Sequence, residues 1–375
     1  MTPVTKLIRP EIPAGTRILV TSDIHGHLGH LKSLLEKAAF CKDDILIIAG
    51  DMLDKGKENL AALRYVMELS EAGNVIPLIG NVDAAQLNVL ALLSEENAPD
   101  VYADILQMRE WYGTCFFEEL AAECGCTLTS PEDVLAARDA IIPHFEKELR
   151  FLENLPTVAE LDRYVIVHGG LREKAVADNG TKTVRELTKY DAFMENTPHT
   201  FDKYLIVGHW PVNLYSRTIQ QLNPVFNHEK HIISIDGGCG TKRREEQLNM
   251  LLLPDAGCPV EDITVLSVEK FPTIRALEDQ APGENSIHIN WTTRDVNILQ
   301  PGEEFTYIEH IASGRKLYVP TSRIYGENKC NDYTDYLLPV ERGTLLSLLE
   351  TTSRGVIAKR NGVVGWYLGK YEPME

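Results

Sequence analysis

The chain has 375 residues, 44% of them hydrophobic and 25% charged, with a formal net charge of −18 at pH 7. Such a length suggests two or three domains of about 100–200 residues with ample core, and the composition is that of an ordinary globular protein. The acidic balance leaves no basic footprint, so neither nucleic acid nor an anionic membrane surface is expected as a partner.

The opening segment "MTPVTKLIRPEIPAGTR" lacks the apolar core and small-residue cleavage site of a secretory signal. No uninterrupted apolar run approaches the ~20 residues of a membrane span. Seven cysteines, an odd number spread over a long chain, point to reduced thiols and a cytoplasmic setting. Cys124 and Cys126 are the close pair; without two further soft ligands at a useful spacing they read as buried thiols.

Residues 17–22 predict a strand, and Leu28, Leu31, Leu34 and Leu35 mark one face of a following helix. "DDILIIAGD" predicts a second strand, "ENLAALRYVMELSEAG" a helix closed by Gly73, and "NVIPLIGN" a third strand. This βαβαβ pattern predicts a parallel sheet whose ligands gather at the carboxyl ends of its strands. Residues 84 to about 160 read as helical, too long for a simple connection, and are expected to lie over the mouth of a site. "RYVIVHGG", "YLIVGHWP", "HIISIDGG" and "LNMLLLPD" add further apolar runs. The character changes near "KFPTIRALEDQAPGENS", and short β-like runs follow, so residues 1–268 and 269–375 are expected to be separate domains.

Ionisable groups cluster where the predicted strands end. Asp23 and His25 close the first, Asp51 and Asp54 the second, Asn81 and Asp83 the third, and His168 and His209 end runs of their own. Singly, Asp and His at a strand end are as readily turn or cap residues. Oxygen and nitrogen donors from five strand ends are hard to explain that way, and mixed carboxylate and imidazole donors suit a transition metal.

"SDIHG", "GDMLDKG", "GNVD", "HGGL" and "GHWP", in that order, resemble the signature blocks of the calcineurin-like metallophosphoesterases. They come nearest the serine/threonine phosphoprotein phosphatase branch and its bacterial relatives, which include symmetrical diadenosine tetraphosphatases. The resemblance covers about residues 16–254. It implies an α/β fold in which a β-sandwich is flanked by helices, with the site on loops at one edge. It implies two divalent transition-metal ions (Mn, Fe or Zn), with Asp23 and His25 on one, Asp51 bridging, and Asn81, His168 and His209 completing the other.

Two positions depart from that pattern. Where the phosphatases have Asp-Arg-Gly to bind substrate phosphate, this chain has Asp54-Lys55-Gly56; Lys55 keeps the charge without the bidentate fork, or is a solvated turn residue. Where they have Gly-Asn-His-Glu, with the His as proton donor, this chain has Gly80-Asn81-Val82-Asp83, and valine cannot donate. His27 is a candidate substitute donor, or simply a histidine at a helix N-terminus, and Asp54 is a candidate to orient a catalytic imidazole.

The last stretch, about residues 286–375, resembles an SH3-like β domain. Its Tyr333, Tyr336, Trp366 and Tyr367 line a groove for a peptide partner in one reading and fill a small barrel in the other. The function expected is a metal-dependent phosphoesterase hydrolysing a phosphorylated substrate, most like a protein serine/threonine phosphatase. The alternatives are a phosphodiesterase or dinucleoside-polyphosphate hydrolase and, in another class, a non-catalytic metal-stabilised binding module.

Overall fold

A computed structural model describes residues 2–374. The chain divides into two compact units, one of residues 1–210 and 224–269 and one of residues 211–223 and 270–375.

The first unit runs β1 (Leu7–Ile8), β2 (Ile18–Thr21), α1 (Leu28–Lys37), β3 (Ile45–Ile48), α2 (Asn59–Glu71), β4 (Val75–Pro77) and α3 (Asn81–Leu92). Helices α4 (Ala98–Tyr112), α5 (Phe116–Glu123), α6 (Pro131–His144) and α7 (Glu146–Asn154) form the long helical stretch. Strands β5 (Val158–Glu160), β6 (Tyr164–Val167), β7 (Tyr204–Val207), β8 (Val225–Asn227), β9 (Ile232–Ser234), β10 (Leu248–Leu253) and β11 (Thr264–Val268) follow, with short helices at Val184–Thr188 and Phe193–Asn196 between β6 and β7. They make two sheets, ordered β1-β5-β6-β7-β9-β8 and β11-β10-β2-β3-β4.

Alternation along the strands explains why the two sheets stack. Ile18 and Val20 of β2 face one way and join Ile47, Ile166, Ile206, Ile233, Leu251 and Leu253 in a core shared by both sheets. Leu19, Leu46, Ile48 and Met250 face the other way, into a core with Leu31 and Leu34 of α1, Leu63 and Val66 of α2, and Phe116, Ile141 and Phe145 of the helical stretch. This is the helix-flanked β-sandwich the resemblance implied. Strands β2, β3 and β4 run parallel in one sheet and β6, β7 and β9 in the other, so each trio ends at one edge. Among the described residues no helix is long and apolar enough to cross a membrane.

The second unit holds a five-stranded antiparallel sheet built from Thr273–Ala276, Leu345–Thr352, Gly355–Arg360, Val363–Tyr367 and Tyr371–Pro373. A three-stranded sheet follows Val296–Gln300, Phe305–His310 and Arg315–Pro320. The linker-like segment near residue 270 is partly strand, because Thr273–Ala276 pairs on both sides. Tyr333, Tyr336, Trp366 and Tyr367 are all buried, with Trp366 Nε1 donating to Thr334 O and Tyr367 Oη donating to Glu278 O. The peptide-groove reading is therefore corrected: these rings fill the interior, where the polar tips of Tyr333, Trp366 and Tyr367 find backbone carbonyls.

Residues 211–223 were not set apart by the sequence. Leu222 packs with Ile289, Val296 and Trp366, and the Gln220–Leu222 backbone exchanges hydrogen bonds with residues 362–364. A chain cut at residue 268 strands this segment; uncovering each such apolar side chain costs about 1.5–3 kcal/mol. Soluble yield of residues 1–268 is expected to rise when 211–223 is replaced by a short polar linker, measured by quantitative expression of both truncations. Equal yields would show that the segment does not need its partners.

Candidate metal centre

The candidate centre is made of strand ends with unusual backbone. Asp23, His25, Asp51, Asp54, Lys55 and His209 all have positive φ, between 48° and 66°. Left-handed backbone at non-glycine residues costs of order 1–3 kcal/mol each and persists where surrounding structure imposes it. Here it lets Asp23, His25 and Asp51 bring their ligand atoms together where their strands end.

Asp23 and Asp51 are buried, and they lie with His25 so that one ligand atom from each falls within 4.8 Å of the others. His25 Nε2 is 3.8 Å from Asp23 Oδ1 and 3.7 Å from Asp51 Oδ2. The other Asp51 oxygen, Oδ1, is 3.3 Å from His168 Nε2, and it accepts the Val82 N–H at 2.9 Å. Asn81 Oδ1 is 3.1 Å from His168 Nε2, and the His168 and His209 rings are 5.4 Å apart. All six residues expected as ligands thus come together, with the Asp51 carboxylate between the His25 side and the His168 side.

Ring hydrogen bonds leave particular nitrogens for a ligand. His25 Nδ1 donates to Leu53 O at 2.9 Å and His168 Nδ1 to Ala49 O at 2.8 Å, so Nε2 of each is the nitrogen turned inward. His209 Nε2 is held by Asp191 Oδ1 at 2.7 Å, which leaves Nδ1. Asp23 Oδ2 accepts from Ser22 Oγ and from the His209 N–H, while its buried Oδ1 has no hydrogen-bond partner.

The electrostatics favour a cation. Burial, with the nearby Asp236 charge, holds Asp23 well above the usual carboxylate range. Burial likewise raises Asp83 to about 7 and Asp236 to about 6. Desolvation, then the Lys55 charge, lowers His25 to about 3. Although burial opposes it, the Asp51 and Asp23 carboxylates push His168 up to about 9. A buried, partnerless carboxylate oxygen beside imidazole nitrogens and three further buried carboxylates fits a divalent ion.

The other expected site residues take different positions. Lys55 donates from Nζ to His25 Nε2 at 2.9 Å and so stands at the centre. Asp54 is buried; its Oδ1 accepts the Phe116 N–H at 2.7 Å and its Oδ2 the Gln86 side-chain amide at 2.5 Å. It therefore ties α3 and the start of α5 to the strand-end loop, and burial raises it to about 6. His27 holds Nδ1 against His25 O at 2.6 Å. Cys124 and Cys126 are half-buried rather than fully buried.

Three contributors were missed. Asp236 ends β9 within "SIDGG", the same grammar as the other strand ends, and was legible. Asp83, noted only as a polar strand end, accepts from the Met52, Leu53 and Gly80 N–H groups and locks the Asp51 loop to α3. Asp191 lies in a loop with no such signal. Gly80 also matters: a Cβ there would lie 2.1 Å from Asp51 N and 2.2 Å from Asp51 Oδ1. Gly80→Ala is expected to destabilise by about 1–3 kcal/mol through this overpacking. Gly180→Ala, where a Cβ meets nothing within 4 Å, serves as control in thermal unfolding.

Comparison with family models gives the same direction. The family model described as calcineurin-like phosphoesterase matches residues 16–232. A symmetrical bis(5'-nucleosyl)-tetraphosphatase of Buchnera aphidicola subsp. Schizaphis graminum is 39% identical over 90 residues, 23% of this chain and 31% of that one. Its counterpart in Pectobacterium carotovorum subsp. carotovorum is 34% identical over 88 residues, 23% and 31% of the two chains. The chain spans about a third of the length of these curated relatives. Among solved structures, a protein serine/threonine phosphatase from Saccharomyces cerevisiae aligns at TM-score 0.42 and 14% identity, over 72% of this chain and 84% of that one. A metallophosphoesterase from Sphaerobacter thermophilus aligns at TM-score 0.36 and 17% identity, over 68% and 89%.

Proposed function

Because the chain belongs to the calcineurin-like phosphoesterase family, we propose that it is a metal-dependent hydrolase of phosphate esters, with Asp23, His25, Asp51, Asn81, His168 and His209 as its metal ligands. The observation that carries this reading is the Asp51 carboxylate, with Oδ2 toward His25 and Oδ1 toward His168. Two ions of Mn, Fe or Zn, when bound, would supply a water of lowered pKa and a clamp on the phosphoryl oxygens.

The protein's own groups have distinct parts in this proposal. Lys55 supplies the positive charge that meets substrate phosphate, as a single point charge rather than a fork. Asp54 fixes the loop that carries Lys55 by its bonds to Phe116 N and Gln86. His27 gives its Nδ1–H to the His25 carbonyl, so Nε2 is the ring nitrogen left to meet a substrate or ligand. No side chain at position 82 can protonate a leaving oxygen.

Val82 is also the observation that favours a second substrate class. Phosphoanhydrides and activated diesters leave without much help from an acid, and the bacterial relatives described above are tetraphosphatases by name. The test is turnover of metal-loaded protein on aryl phosphate, phosphoserine peptide, aryl diester and dinucleoside tetraphosphate. Hydrolysis of at least one class, lost in Asp51→Asn, supports the proposal; no turnover of any would leave a binding module.

A further inference from the structure

His27, Cys239 and Glu246 form a second group of metal-binding side chains beside the candidate centre. One ligand atom from each lies within 4.8 Å of the others. His27 Nδ1 is 2.6 Å from His25 O and 3.2 Å from Ile24 O, and carbonyls only accept, so Nδ1 carries a proton and the neutral ring keeps its lone pair at Nε2. A carbonyl that fixes one ring nitrogen and leaves the other for a metal is the usual arrangement of a ligating histidine.

The loop that carries the other two residues is shaped to reach it. Cys239 is buried and sits between Gly238 and Gly240, whose φ of 76° and 71° an ordinary side chain adopts only with strain. A Cβ at Gly240 would lie 3.0 Å from Lys55 Cβ, 3.1 Å from His25 Cβ and 3.1 Å from His27 Cε1, so glycine allows the loop to seat against this turn. Gly240 in turn donates its N–H to Glu246 Oε2 at 2.7 Å, orienting that carboxylate.

We propose that His27 Nε2, Cys239 Sγ and the Glu246 carboxylate bind a Zn²⁺ ion separate from the dinuclear centre. One sulfur, one nitrogen and one oxygen donor suit a borderline-soft ion, and three protein ligands leave a fourth tetrahedral position open. Mg²⁺ and Ca²⁺, which prefer oxygen throughout, are poor fits. The ion would fasten the segment from Gly238 to Glu246, with Lys242, Arg243 and Arg244 on it, to the turn that delivers His25. That gives the cysteine a purpose that reduced, scattered thiols do not require.

Co²⁺ is the probe, because the expected ligands of the dinuclear centre include no sulfur and only a thiolate gives Co²⁺ an intense near-ultraviolet charge-transfer band. Metal-stripped full-length protein titrated to saturation with Co²⁺ should develop that band. Cys239→Ser should lose it, with one equivalent of metal fewer, while Cys124→Ser and Asp51→Asn keep it. Glu246→Gln should weaken Co²⁺ binding at this site by at least the ~10–100-fold that losing an outer partner costs, with unchanged circular dichroism. Absence of the band in the wild type, or its survival in Cys239→Ser, would overturn the proposal. Loss of the band in Asp51→Asn would overturn the separation of the two sites. Retention of two metals by Asp51→Asn would count against the dinuclear assignment and leave this one standing.

Discussion

Asp51→Asn should cost the protein both metal ions of the proposed dinuclear centre and at least ~10–100-fold in activity, the range that loss of even an outer-sphere partner produces. The argument is geometric. One carboxylate oxygen of Asp51 faces His25 and the other faces His168. The substitution keeps an acceptor for the Val82 N–H, which lies 2.9 Å from Oδ1, so the first turn of α3 should stay in place. Elemental analysis after reconstitution with Mn²⁺, Fe²⁺ or Zn²⁺, alongside circular dichroism, checks both halves. A folded variant that still carries both ions would remove Asp51 from its bridging role.

Val82→His should raise turnover of phosphoserine-type substrates more than turnover of aryl phosphates. General acid catalysis is typically worth about 10²–10⁴ in rate, and its absence falls hardest on leaving groups of high pKa. Val82 sits on the first turn of α3, its N–H on Asp51. Gln86, four residues on and hence on the same face, donates to Asp54 Oδ2. A new imidazole must therefore compete with Gln86 for Asp54, and the gain should be larger in Val82→His/Gln86→Ala, where that oxygen is released. The measurement is the slope of log kcat against leaving-group pKa, expected to be steep in the wild type and shallower in the variants. A wild type that hydrolyses phosphoserine peptides as fast as aryl phosphates already has an acid. In that case His27→Ala, read on both substrates, decides whether His27 acts on the proton or on structure.

The alternation of strand and helix, the apolar face of α1 and the donor groups at strand ends were legible from local pattern. Those features are local: side chains alternate with period 2 along a strand, and polar groups after an apolar run fall at a sheet edge whatever the partner strands. Asp236 was within reach of the same reasoning, since "SIDGG" ends like the others. Other features depended on which elements meet. Asp54 bonds to Phe116 N across 62 residues and Asp191 holds His209, contacts that no spacing encodes. The strap of residues 211–223 joins the second unit because its backbone pairs with residues 362–364. The grouping of His27 with Cys239 and Glu246, more than 200 residues apart, likewise exists only because strand order brings the β9–β10 loop beside the turn after β2. Pattern fixes which face a residue occupies, whereas distances between remote residues are set by the order and register of the sheets, which no local pattern carries.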